Sequence, residues 1–259
     1  MLLVLSPAKS LDFTPAPEGL PATRPTLADE TARLATTARR LKAADLKRLM
    51  SISDKLATLN RERFQAFDPA SDEGVQAALA FDGDVYQGLD ARSLDPEALL
   101  WAQDRLRILS GLYGVLRPLD RIQPYRLEMG VRLKTRRGES LYDFWGDRIA
   151  KALRADAEGH ADPTVINLAS QEYFEAVDVR ALKRPVIDVR FVEEKDGQAR
   201  VISFFAKKAR GLMARWAIDE RAERADELKR FDGAGYRFRP DASSERAWTF
   251  SRPQPPSPA

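Results

Sequence analysis

Apolar positions recur along this chain with several different spacings, and each spacing predicts a different element. Residues 1–5, Met-Leu-Leu-Val-Leu, form an unbroken apolar run that suits a buried strand. The run gives way at once to Ser6, Pro7, Ala8, Lys9 and Ser10, a turn where backbone amides and an ammonium can converge on an anion. Residues 12–25 carry four prolines and one glycine, which predicts an irregular surface crossing. Leu27, Thr31, Leu34, Ala38 and Leu41 then recur at helical spacing, with Thr26 and Asp29 placed as a capping box. Two more helical segments, 45–50 and 54–67, flank a tight Ser51-Ile52-Ser53. Residues 75–81 read as a short amphipathic helix and 96–105 as another helix.

The middle of the chain breaks this regularity. Residues 106–130 read LRILSGLYGVLRPLDRIQPYRLEMG: a short apolar strand, a turn punctuated by Gly111 and Gly114, then bends at Pro118 and Pro124. An ordered, partly apolar segment interleaved with Arg117, Arg121, Tyr125 and Arg126 is what a preformed binding surface needs. Residues 131–137 alternate apolar and basic positions as a strand with one charged face would. Leu141, Trp145, Ile149 and Leu153 predict one helix, and 164–168 a strand. Segments 185–193 and 199–205 bracket Asp196-Gly197, a hairpin signal. In the helix that follows, Phe205, Ala209, Leu212, Met213 and Trp216 share one side while Lys207, Lys208, Arg210 and Arg215 share the other. Gly211 leaves room there for a backbone or ligand. Residues 235–238 and 247–250 form a closing hairpin, and the proline-rich 252–259 is expected to be a disordered tail.

The fold class this predicts is α+β: a single compact mixed α/β domain over residues 1–251, with a central mixed sheet surrounded by helices. At 259 residues the chain can bury about three quarters of its unfolded surface. No run approaches the roughly 18 apolar residues that a membrane span requires, and a cytoplasmic location is expected. The chain has no cysteine, which removes disulfides, thiolate metal sites and cysteine nucleophiles. His160 is its one histidine, in a polar stretch, so neither a structural zinc site nor serine–histidine catalysis is expected. Asp82-Gly83-Asp84 could hold a divalent cation but reads first as a turn and helix cap. No cofactor and no metal are therefore assigned. Net charge is only +3, yet residues 101–138 hold nine cations against three anions. A near-neutral body with one basic strip suits a nucleic-acid groove.

Several long motifs carry a resemblance. SPAKSLDF at 6–13, LMSISDKLATLN at 49–60, FDGDVYQGL at 81–89, SGLYGVLRPLD at 110–120, IQPYRLEMG at 122–130, VINLASQEYF at 165–174 and ISFFAKKARGLMARW at 202–216 resemble the YaaA family. These are bacterial cytoplasmic proteins linked to resistance to peroxide stress. The resemblance implies a compact mixed fold that binds DNA, lowered intracellular free iron, and no firmly assigned enzymatic activity.

Around 45–67 the pattern is similar to a helix-hairpin-helix, whose hairpin amides clasp a phosphate without reading sequence. The usual hairpin glycine is Ser53 here, so the motif is degenerate. The expected DNA contacts are Lys9, Ser10, Lys47, Ser53, Lys55, Arg63, Arg117, Arg121, Tyr125, Arg126, Lys207, Lys208 and Arg210. Their expected partner is duplex, single-stranded or junction DNA, with Tyr113 and Tyr125 available for base stacking. The alternative is an enzyme acting on a nucleotide or other phosphorylated small molecule, with Lys9 and Lys207 gripping the anion and Asp84, Asp120 or Glu128 as base. Ser6, Ser10, Asn60, Tyr113, Asn167, Ser170 and Tyr173 are more uncharged polar groups than phosphate clasping requires.

Overall fold

The computed structural model describes residues 1–255. In chain order its strands are β1 (Leu2–Leu5), β2 (Ser10–Leu11), β3 (Val75–Gln76), β4 (Phe81–Asp82), β5 (Leu106–Ser110), β6 (Gly114–Leu116), β7 (Arg121–Ile122), β8 (Val165–Asn167), β9 (Val186–Lys195), β10 (Gln198–Arg200), β11 (Arg237–Phe238) and β12 (Ala247–Pro253). The helices are α1 (Ala28–Ala38), α2 (Ala43–Met50), α3 (Asp54–Ala66), α4 (Ala77–Ala80), α5 (Asp84–Leu89), α6 (Pro96–Arg105), α7 (Leu141–Trp145), α8 (Arg148–Asp156), α9 (Gln171–Phe174), α10 (Val179–Leu182) and α11 (Ser203–Asp219), joined by short 3₁₀ turns.

Eight strands form one mixed sheet in the order β11-β12-β9-β8-β1-β5-β6, with β10 added on β9. The five central strands, β12 through β5, run parallel, and antiparallel β11, β10 and β6 sit at the margins. This is the expected single mixed α/β domain. Strand β1 lies between β8 and β5 and is covered on both faces, which is why its sequence is continuously apolar rather than alternating. Each of its leucines contributes roughly 2 kcal/mol of burial. Even Arg107 within β5 is buried, held by Asp156 at 2.6 Å and by the carbonyl oxygens of Gln103 and Leu106.

The Asp196-Gly197 signal is a real hairpin: both residues have positive φ (52° and 73°), as the tight turn between β9 and β10 requires. Asp82-Gly83-Asp84 is the junction between β4 and α5, with Asp84 in the helix's first turn.

Elsewhere tertiary packing changed the outcome. Residues 131–137 are not a strand. Val131 and Leu133 are buried and pin the segment to the core, but Leu133 N–H turns back to the Val131 carbonyl and no strand lies alongside. Residues 75–81 are a two-residue strand followed by α4, whose four residues are all buried, so the helix has no polar face. The helix expected through Leu141 and Leu153 is two, because Gly146 adopts φ 50° and ends α7. Strand β12 continues through Arg252 and Pro253, the first residues of the expected tail, and residues 256–259 lie outside the described residues.

Candidate functional site

The chain goes from β1 to β5 on one side, then crosses back to β8 on the other. In an open parallel sheet this reversal leaves a crevice beyond the carboxyl ends of the central strands. Ser6, Ser110 and Ser170 sit there, just after β1, at the end of β5 and shortly after β8. The Ser6 hydroxyl accepts the Ser170 N–H at 2.8 Å and donates to the Ser170 hydroxyl at 3.3 Å. Tyr86 on α5 donates to the Ser6 carbonyl at 3.0 Å. Ser110 shares a 2.6 Å hydroxyl–hydroxyl bond with Tyr125 and accepts the Tyr113 N–H. Tyr113 and Tyr125 pack edge to face at 5.3 Å, and Phe81 packs against both Tyr86 and Tyr125. Burial pushes the phenols of Tyr86, Tyr113, Tyr125 and Tyr173 well above the ordinary tyrosine range, so they are protonated at neutral pH and act as donors, not bases.

Beside them lies a charged trio. Arg126 donates from Nε (3.0 Å) and Nη2 (2.9 Å) to Glu128 Oε1, and Lys9 Nζ approaches the same oxygen at 3.6 Å. Glu128 Oε2 is buried with no hydrogen-bond partner among the described residues. The fold has thus brought Lys9, Tyr125 and Arg126 together from opposite ends of the sequence signal, with Ser10 next along in β2.

The other expected contacts are elsewhere. Arg117 is committed to structure: its backbone N–H and guanidinium both bind the buried Asp120, which also accepts from Thr23, and Nη2 reaches the Arg24 carbonyl. Because Leu116 pairs opposite Ile108, the chain leaves β6 toward the amino end of β5, away from Ser110. Arg121 donates to the Asp72 carbonyl. Tyr113 and Tyr125 are only 4% and 5% exposed, so neither can stack on a base. One cleft containing all the expected cations is therefore not formed; several are already neutralised by acidic neighbours.

Helices α2 and α3 pack together across Ser51-Ile52-Ser53 as the spacing predicts. The left-handed residue is Ser51 (φ 51°), whereas Ser53 is extended and caps α3 by accepting the Leu56 N–H. Lys47 pairs with exposed Asp54 at 2.9 Å, while Lys55 and Arg63 make no ion pair among the described residues, and burial lowers the Arg63 guanidinium pKa. On α11, Lys207 and Lys208 are exposed and make no ion pair among the described residues. Arg210 is not with them: it follows Ala206 and precedes Ala214 on the buried face, and its Nε is buried with no hydrogen-bond partner among the described residues. Burial lowers its pKa too. Arg215 is held by Asp219.

A concave cationic surface does exist, between α1 and the 134–137 loop. A cavity of about 620 Å³ is lined by Arg33, Thr36, Thr37, Arg40, Lys134, Thr135, Arg136, Arg137 and Phe144, with no carboxylate in its wall. Glu30 lies behind it, bound by Arg137 and near Arg33 (3.4 Å) and Arg148 (3.7 Å), and Arg137 covers the Phe144 ring. Arg40 and Arg136 make no ion pair among the described residues. The sequence reading captured Lys134, Arg136 and Arg137 in its basic strip but missed Arg33 and Arg40. The signal was present: positions 33, 36, 37 and 40 fall on one helical stripe.

A parallel-centred α/β protein with a hydrogen-bonded polar cluster at its strand ends and a separate basic groove is the class these features define. Comparison then places it more narrowly. The family model described as peroxide stress protein YaaA matches residues 1–242. The chain is 67% identical to a UPF0246 protein of Phenylobacterium zucineum, over all of this chain and 97% of the relative. It is 65% identical to a UPF0246 protein of Caulobacter vibrioides, over 98% of this chain and all of the relative. The chain belongs to the peroxide stress protein YaaA family. No described helix is long and apolar enough to cross a membrane.

Proposed function

We propose that this chain serves the peroxide stress response by holding DNA through its phosphate backbone without reading sequence, in the cytoplasm. The observation that carries the reading is the groove between α1 and the 134–137 loop, whose wall presents five cations and no carboxylate. Phosphates of a backbone are spaced to occupy such a surface in succession, and each one neutralised releases condensed counterions. The pairs at its rim, Arg33–Glu30 and Lys134–Glu139, have solvent-exposed cations and are weakened by water and salt, so a phosphate can compete for them. Lys55, Arg63, Lys207 and Lys208, none of them tied to a carboxylate among the described residues, are proposed as further phosphate contacts, with the Ser53 hairpin adding amides. The lowered free iron that the family resemblance implies is part of the same proposal, with no residue assigned to it.

Fluorescence-anisotropy titration of a labelled duplex across a salt series tests this. Affinity is expected to fall steeply between roughly 50 and 200 mM salt, and the Lys134→Ala/Arg136→Ala double variant to reduce the log–log slope by about two. A flat salt response, or a double variant that binds as wild type does, overturns the reading.

A further inference from the structure

The crevice at the strand ends has a different chemistry from the groove, and DNA binding leaves it unused. Glu128 Oε1 receives Arg126 twice and Lys9 once, whereas Oε2, on a side chain only 13% exposed, receives nothing. A buried carboxylate oxygen without a donor is costly and calls for a partner. Lys9 is 69% exposed and only 3.6 Å from the carboxylate, so it is loosely held and free to turn outward. The amide N–H groups of Ala8 and Lys9 make no hydrogen bond to any other described residue. Two amides left without a partner among the described residues, next to an ammonium in a turn after a central strand, are the donors an anion there would use. Tyr125 and Tyr86 are buried behind the site with their phenols kept neutral by burial, while Asp82, opposite Ser10 in the β2–β4 pair, and Asp84, beyond Gly83 whose Cβ position lies 3.2 Å from Ala8 Cβ, are the other carboxylates close to the turn.

We propose that the crevice over Glu128 binds a small phosphate monoester, with its phosphate on the Ala8–Lys9 turn and a hydroxyl or amino group donating to Glu128 Oε2. The ligand's other part decides between a nucleotide and a sugar phosphate, and both satisfy this chemistry. The assignment is independent of DNA binding, because none of these residues lines the groove.

Isothermal titration of the full chain with AMP, ribose 5-phosphate and inorganic phosphate tests it. At least one ester is expected to bind saturably, about tenfold or more tighter than inorganic phosphate. Lys9→Ala, at an exposed position, and Glu128→Gln are each expected to weaken it by about tenfold, while Arg136→Ala leaves it unchanged. Binding of AMP alone assigns a nucleotide; equal binding of both esters assigns a sugar phosphate. The proposal is overturned if neither ester outbinds inorganic phosphate, or if Lys9→Ala binds the ester as tightly as wild type. Either result leaves the salt-dependent DNA measurement standing on its own.

Discussion

Two single residues show how conformation and charge enter the stability of this chain. Ser51 holds the left-handed conformation between α2 and α3 with no side-chain hydrogen bond to compensate. Ser51→Gly relieves that cost and is expected to raise unfolding stability by about 0.5–1 kcal/mol, read as a higher urea midpoint with unchanged slope. A lower midpoint would show that the hydroxyl matters more than the backbone. Glu30 is the counterion behind the basic groove. The Arg137 hydrogen bond holds its carboxyl below the ordinary 4.5, partial burial opposes this, and Arg137, Arg33 and Arg148 add charge attraction. A depressed carboxylate stabilises the fold above its unfolded pKa, and the contribution disappears as pH falls through the folded value. Glu30→Gln is therefore expected to lower stability at pH 7, with the difference from wild type shrinking as pH falls below the ordinary carboxylate range, as denaturant midpoints across pH would show. At this scale the sequence was least informative: it placed the missing glycine at Ser53, and nothing in it marked Arg117 as the partner of a buried aspartate rather than a free cation.

Among the elements, the crossing of α11 on α5 depends on glycine. A Cβ on Gly211 would stand 1.7 Å from the Val85 carbonyl oxygen, and one on Gly88 2.3 Å from the Lys208 carbonyl oxygen. The room read at Gly211 is thus filled by the backbone of another helix, not by a ligand. Gly211→Ala forces the two helices apart and is expected to cost about 3 kcal/mol, measurable by thermal unfolding. Because α5 carries Tyr86 to Ser6, the same variant should also disturb the crevice. Elements with strong local signals were legible: β1, the β9–β10 hairpin and the α2–α3 pair appear where periodicity and turn chemistry put them. The 131–137 segment was not, because alternation records which residues face the core, and a loop pinned by Val131 and Leu133 alternates as a strand does.

For the whole molecule, the basic strip of residues 101–138 divides between two destinies. Arg107 and Arg117 are spent inside the fold on Asp156 and Asp120, while Lys134, Arg136 and Arg137 meet Arg33 of α1 and Arg40 just beyond its end at the groove. Under the proposed DNA-binding role, removing groove charge should therefore change DNA affinity and its salt slope, whereas removing Arg117 should mainly change stability. The crevice around Glu128 is likewise assembled from residues far apart in sequence, with Lys9, Tyr86, Ser110, Arg126 and Ser170 joined only where β1, β5 and β8 end side by side.

The amino-acid sequence alone determined the family, the mixed α/β class, the buried central strand and an excess of cations in the middle of the chain, because motifs, apolar spacing and composition are local properties. Only the tertiary structure decided which cations remain free and which surface they share. That outcome depends on pairings between residues tens to more than a hundred positions apart, such as Arg137 with Glu30 and Lys9 with Glu128, and linear spacing carries no record of them.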